Sequence, residues 1–262
     1  MSFTLTVSGV DNYTFCAGFA QQIAAGRKQA RVLDYGCGNG QIVESLRREG
    51  IEAFGCDTFY EGGTYQILPD AAAFVLPMNS TTIPFPDCHF DAVTNNQVME
   101  HVADLNTAVR EIARVLKPGG TVLSIFPDNK GWREGHCGIP FVHRLPRRFR
   151  VPYAFAMRCA GFGNFTEGKS RLQWARDFCD WIDKWCYYRP YDEIAATFER
   201  HLGPMQHIEA DWIVARRANT RFAPRWMRRF ITRKCSGMVF LCKKPERRQT
   251  KNDRPEGAVS SA

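Results

Sequence analysis

The residues with chemical potential start at a glycine-rich turn. Asp34-Tyr35-Gly36-Cys37-Gly38-Asn39-Gly40 follows the short apolar run 31–34 and precedes 41–49, where Ile42, Val43 and Leu46 fall at helical spacing before Gly50. That is strand, turn, helix, and glycines there let the chain reverse sharply and let a ligand touch bare backbone. A dinucleotide fingerprint would read Gly-x-Gly-x-x-Gly, whereas this turn reads Asp-x-Gly-x-Gly-x-Gly. A carboxylate at the strand end is a poor neighbour for pyrophosphate and a good one for a ligand carrying an ammonium and a sulfonium. Asp57, 17 residues after Gly40 and at the end of a second strand candidate at 51–56, could take both hydroxyls of a ribose on its two oxygens.

Six histidines supply the acid–base candidates. His89, His201 and His207 sit in turns or beside scaffold elements and read as structural; His101 follows Glu100 and reads mainly as a helix start with some prospect of touching substrate. Glu134 and His136, two residues apart just past a strand, could form an oriented acid–base pair, with His143 close behind. The alternative for His136 is a buried ring satisfied by a backbone carbonyl. Glu134, His136 and His143 match no specific metal spacing, so no metal is expected.

Two stretches have a less settled reading. Trp174, Phe178, Trp181 and Trp185 lie at helical spacing and are either a buried helix face or an aromatic wall for a substrate or cation. Residues 216–235 carry eight basic side chains and no acidic one, with Phe222, Trp226, Phe230 and Ile231 on one helical face. Such a stretch is a solvated basic face, a surface for anionic acceptors such as nucleic acid or sugar phosphates, or a helix lying on anionic lipid through 216–234.

The elements that must position these groups alternate β and α: strands at 31–34, 51–56, 90–94 and 121–126, a helix capped by Asp104 and stopped by Lys117-Pro118-Gly119-Gly120, a return helix at 191–202, and two final strand candidates at 207–215 and 237–242. This predicts an α/β fold, a doubly wound and mostly parallel Rossmann-like sheet with an antiparallel C-terminal hairpin and a helical cap insertion. The expected organisation is a cofactor-binding half at 1–127, a substrate-side cap at 128–188, the rest of the same domain at 189–243 with the basic insertion 216–235, and a disordered polar tail at 244–262.

Composition agrees with one globular domain. The 262 residues are 44% hydrophobic and 24% charged, which excludes disorder, collagen and coiled coil. Thirty-five basic against 27 acidic residues give +8, of which the last twenty residues hold +3. No run of apolar residues suggests a secretory signal or a spanning helix, and ten cysteines without metal or disulfide spacing fit free thiols in a reducing cytoplasm.

The segments VLDYGCGNG at 32–40, Asp57, IPFPDCHFDAV at 83–93, NNQVMEHV at 95–102 and REIARVLKPGG at 110–120, in order and correctly spaced, resemble the class I S-adenosylmethionine-dependent methyltransferases, in the ubiquinone/menaquinone-methyltransferase-like branch. The resemblance covers about residues 31–126 and implies S-adenosyl-L-methionine as cofactor. It places Asp34, Gly36, Gly38 and Gly40 at the methionine end, Asp57 on the ribose, Asn79 (where the family usually has Asp) on the adenine amino group and Asn95 facing the methionine portion. The implied activity is methyl transfer to a small-molecule, glycan or lipid-precursor acceptor, oxygen slightly favoured by His136. A nucleic-acid methyltransferase is the alternative on charge, weakened because neither Asn-Pro-Pro-Tyr nor Asp-Pro-Pro-Tyr occurs. A non-catalytic protein that binds S-adenosylmethionine is the third. Oligomeric state is not legible.

Overall fold

The computed structural model describes residues 9–59, 66–79 and 82–246. In chain order it contains α1 (Asn12–Ala25), β1 (Arg31–Tyr35), α2 (Gln41–Arg48), β2 (Glu52–Asp57), β3 (Val75–Pro77), β4 (Phe90–Asn96), α3 (Leu105–Val115), β5 (Leu116–Phe126), α4 (Arg147–Cys159), α5 (Arg171–Trp185), α6 (Tyr191–Leu202), β6 (Met205–His207), α7 (Glu209–Arg216), α8 (Arg225–Cys235) and β7 (Met238–Lys243). Seven strands form one sheet in the order β3-β2-β1-β4-β5-β7-β6. The first five pair in parallel, and β7 runs antiparallel between β5 and β6. This is the doubly wound sheet with an antiparallel edge that the β/α alternation predicts, and its order reverses direction between β1 and β4, where such sheets open a crevice.

Both faces of the sheet are covered, which is why its strands read as nearly continuous apolar runs. Successive residues of β1 point to opposite sides: Val32 joins Phe15, Phe19, Ile42 and Trp212 beneath α1, α2 and α7, while Leu33 joins Val109, Ile112, Phe198 and Phe240 beneath α3 and α6. A third apolar cluster lies outside these layers, in the long connection from β5 to α6. Cys137, Ile139, Val142, Ala154, Trp174 and Ile182 pack there around α4 and α5.

Three local expectations are corrected. The expected strand at 207–215 is a strand of three residues followed by α7. The run HIEADWIVA alternates at first, yet Ile208, Trp212 and Ala215 are buried at 3.6-residue spacing, and Glu209 and Asp211 in the first turn favour the positive end of a helix. Lys117-Pro118-Gly119-Gly120 is not a separate turn: it is absorbed into β5 as a register shift between Phe90 and Ala92 of its partner. Of the expected tail 244–262, Lys244 is pinned, its N–H donating to Gly120 O and its Nζ to the carbonyls of Ala113 and Leu116. Residues 247–262 lie outside the described ones. No helix among the described residues is long and apolar enough to cross a membrane, and all ten cysteines are thiols.

Candidate functional site

The glycine turn lies at the carboxyl ends of β1, β2 and β4. Asp34 is buried and accepts a hydrogen bond from Thr94 Oγ1 (2.8 Å), its register neighbour on β4. The chain then turns through Gly36 and Gly38, both at positive φ, with the N–H groups of Gly36 and Cys37 donating to the carbonyl of Cys56. A Cβ on Gly36 would collide with the methyls of Val98, so glycine is required there both by backbone and by space. Asp57 closes the arrangement: its Oδ2 accepts from the Gly38 N–H (2.8 Å) and its Oδ1 from the Phe59 N–H (2.9 Å). Each oxygen keeps a lone pair that a ligand hydroxyl could use.

A cleft of about 770 Å³ opens over this edge, lined by Asp34, Gly36, Gly38, Asp57, Met78, Asn96, Gln97, His101 and Tyr187, among others. Burial pushes the Asp34 carboxyl up to about 7; the Thr94 hydrogen bond opposes this and the nearby Asp57 charge reinforces it. A cationic ligand would reverse the shift, so the site fits a donor with positive charge at one end and hydroxyls at the other. Tyr13 also lines the cleft. It stands in α1, which is tied to β4 by Asn12 Nδ2 donating to Asn96 Oδ1 (2.9 Å). This helix was not legible because Phe15, Phe19 and Ile23 are interspersed with small residues that are buried too, although Asp11, whose side chain accepts from the Thr14 N–H, is a visible cap.

Three of the expected cofactor residues stand elsewhere. Gly40, at positive φ, begins α2, and a Cβ on it would lie 2.7 Å from that of Ala71; it serves packing and is not a wall of the cleft. The Asn95 side chain points into the sheet, Nδ2 donating to Ser124 Oγ (2.8 Å), because strand alternation hands the crevice to Asn96 and the turn at Gln97. Asn79 is exposed in a bridge to Thr82, while its neighbour Met78 lines the cleft.

On the opposite side, Glu134 and His136 do meet: His136 Nδ1 donates to Glu134 Oε1 (2.7 Å). The Cys137 N–H donates to Glu134 Oε2 (2.7 Å) and the Tyr188 hydroxyl to Glu134 Oε1, so the carboxylate is buried with three donors. Burial would raise Glu134, but the hydrogen bond and charge of His136 and those two donors hold it down at about 2. Burial would lower His136, and Glu134 outweighs it, holding the imidazole above its usual value. His136 does not itself line the cleft. Its ring lies 5.0 Å from that of His101, which does, and whose Nδ1 donates to the Trp185 carbonyl (2.8 Å).

Glu100 drew no functional reading from the sequence. It is buried, neither of its oxygens has a hydrogen-bond partner among the described residues, and burial pushes it up to about 7. One of its oxygens and one ring nitrogen each of His101 and His136 lie within 4.8 Å of one another. Those three could hold a divalent ion; His143, weighed with Glu134 and His136 as a metal trio, instead packs its ring 4.9 Å from Tyr188. The aromatic stripe of α5 combines both readings. Trp174 is core, Trp181 lies 4.9 Å from the His136 ring, and Trp185 reaches the cleft, as does Tyr187 just past the end of the helix.

Comparison with known proteins agrees with this geometry. Residues 33–124 match a family described as a methyltransferase domain. Ubiquinone biosynthesis O-methyltransferases are similar: that of Pectobacterium atrosepticum is 31% identical over 138 residues, 50% of this chain and 57% of that one. That of Yersinia pestis is 33% identical over 132 residues, 47% and 54%. The chain thus spans somewhat over half the length of the curated relatives it matches. Among solved structures, the YcgJ protein from Bacillus subtilis (TM-score 0.50, 17% identical, 89% of this chain and 99% of that one) shares the fold. So does an S-adenosylmethionine dependent methyltransferase from Mesorhizobium loti (TM-score 0.50, 14% identical, 89% and 100%).

Proposed function

We propose, from the match of residues 33–124 to a methyltransferase domain and the cleft described above, that this chain is a class I S-adenosylmethionine-dependent methyltransferase that transfers a methyl group to a hydroxyl of a small-molecule or lipid-precursor acceptor. The observation that carries the reading is the pairing of Asp34 and Asp57 around the Gly36–Gly38 turn, two carboxylates and bare backbone on one cleft. When bound, S-adenosylmethionine supplies a methyl carbon already activated on sulfur. The protein therefore has to align the acceptor and exclude water. Asp34 faces the positive end, Asp57 takes the ribose hydroxyls on the lone pairs its backbone donors leave, and Gly36 and Gly38 admit close approach.

The segment 128–188 serves as the acceptor-side cap. His101 forms a wall of the cleft, and His136, 30% exposed with its ring 5.0 Å from that of His101, accepts the hydroxyl proton of an acceptor that extends past His101, while Glu134, fixed by the Cys137 N–H and the Tyr188 hydroxyl, stabilises the resulting imidazolium. Similarity to ubiquinone biosynthesis O-methyltransferases supports oxygen as the accepting atom and a lipid precursor as the class.

The test is transfer of labelled methyl from S-adenosylmethionine to a panel of phenols, glycans, amines and tRNA. Label entering phenolic hydroxyls, and lost in His136→Ala, supports the assignment. Label entering tRNA bases or amines alone would refute it.

A further inference from the structure

We infer that α8 is an anchor for anionic phospholipid, lying flat on a membrane surface with its aromatic arc in the headgroup layer. The helix is turned the wrong way for a core element. On a helical projection Trp226, Phe230, Lys234, Met227 and Ile231 occupy one continuous arc, and of these Trp226 (71% exposed), Phe230 (48%) and Ile231 (46%) face outward, while Thr232 is the buried residue of the helix. Phe222, in the 3-10 turn just before it, is 80% exposed. A soluble helix places such side chains inward, because exposing each forgoes the free energy of its burial.

The apolar surface continues past the helix. Trp132 lies with its ring 5.9 Å from Phe230 and its backbone N–H donating to the Lys234 carbonyl, and α8 packs against α7. The patch is thus presented by a fixed framework.

Charge identifies the occupant. Residues 216–235 have eight basic side chains and no acidic one; Arg225, Arg229 and Arg233 pair with Asp211, Glu209 and Asp128 of other elements, and the cations beyond those pairs leave the segment positive, so two copies of α8 facing each other would repel. An anionic surface is complementary, each basic residue near it adding to the attraction. Nucleic acid would use the charges and could stack on Trp226 and Phe222, but offers nothing to the aliphatic Ile231 and Met227; a bilayer interface takes all four with the cations at headgroup level.

The experiment is sedimentation of the full chain with vesicles of phosphatidylcholine alone or with added phosphatidylglycerol, beside tRNA binding at the same ionic strength. The expected result is partitioning at least about tenfold stronger on anionic vesicles. It should fall about tenfold or more in Phe222→Ser/Trp226→Ser/Phe230→Ser, and partly in Arg221→Gln/Lys234→Gln. All these side chains are on the surface, so thermal melts and S-adenosylmethionine binding should match the parent, and neither readout depends on which acceptor is methylated. Equal partitioning on neutral and anionic vesicles, or an aromatic triple variant that binds vesicles as the parent does, overturns the inference. So does tRNA binding that needs these aromatics in a protein that ignores vesicles.

Discussion

Asp34 and Asp57 are two acids in one pocket with different surroundings. Asp57 is latched by the backbone N–H groups of Gly38 and Phe59, whereas Asp34, with Thr94 as its donor, is pushed up to about 7 by burial. A neutral Asp34 offers a cation little, so S-adenosylmethionine affinity should weaken as pH falls through 7, by up to about tenfold per unit. Titrations at several pH values check this, and Asp34→Asn should bind weakly with a flat profile. For His136 the sign is also set. Its pKa is raised by Glu134 against burial, so the rate should fall as pH drops through that raised value and the imidazole gains a proton. Glu134→Gln removes the source of the shift and should move this acidic limb to lower pH, while His136→Ala should cost about 100-fold or more in kcat. Profiles of kcat against pH for the three proteins decide it.

At the level of elements, the β1–α2 turn fits only because Gly36 has no side chain. Gly36→Ala would place Cβ against Val98 at positive φ, costing roughly 2–4 kcal/mol and lowering Tm by about 5–15 °C. Val98→Ala in the same chain should recover the steric part and leave the backbone part, which thermal melts of both variants would show. Arg189 is the other element-scale joint. It donates to the carbonyls of Val102 and Ala103 (2.7 Å each) at the end of the loop after β4, so Arg189→Ala should loosen the His101 wall and raise KM for the acceptor more than it lowers kcat. The turn was legible because its glycines and acids are adjacent in sequence. Asn96 was harder, since a one-residue difference in pleat decides whether it or Asn95 meets the cleft. The helix α7 was misread because six apolar residues within 208–215 satisfy a strand and a helix period alike, and contact with the sheet face chooses between them. Glu100 gave no local signal at all: its significance comes from His136, brought in from 36 residues away.

Across the whole molecule, a parallel sheet covered on both faces supplies a rigid crevice, and the insertion between β5 and α6 adds a separate core against one lip of it. The doubly wound sheet and the cofactor edge could be read from β/α alternation because those contacts recur every 30 residues or so, whereas the three-residue edge strand β3 (Val75–Pro77) was too short to stand out. The acceptor side could not, since it is assembled from α5, the loop after β4 and the segment at 134–139, which share no pattern in the sequence. The most direct measurement of the central claim is calorimetric titration of the full chain with S-adenosylmethionine and, separately, NAD. One site for S-adenosylmethionine is expected, weakened about 10- to 100-fold by Asp57→Ala, with no competing heat from NAD. An unaltered isotherm in Asp57→Ala, or NAD bound in preference, would contradict it.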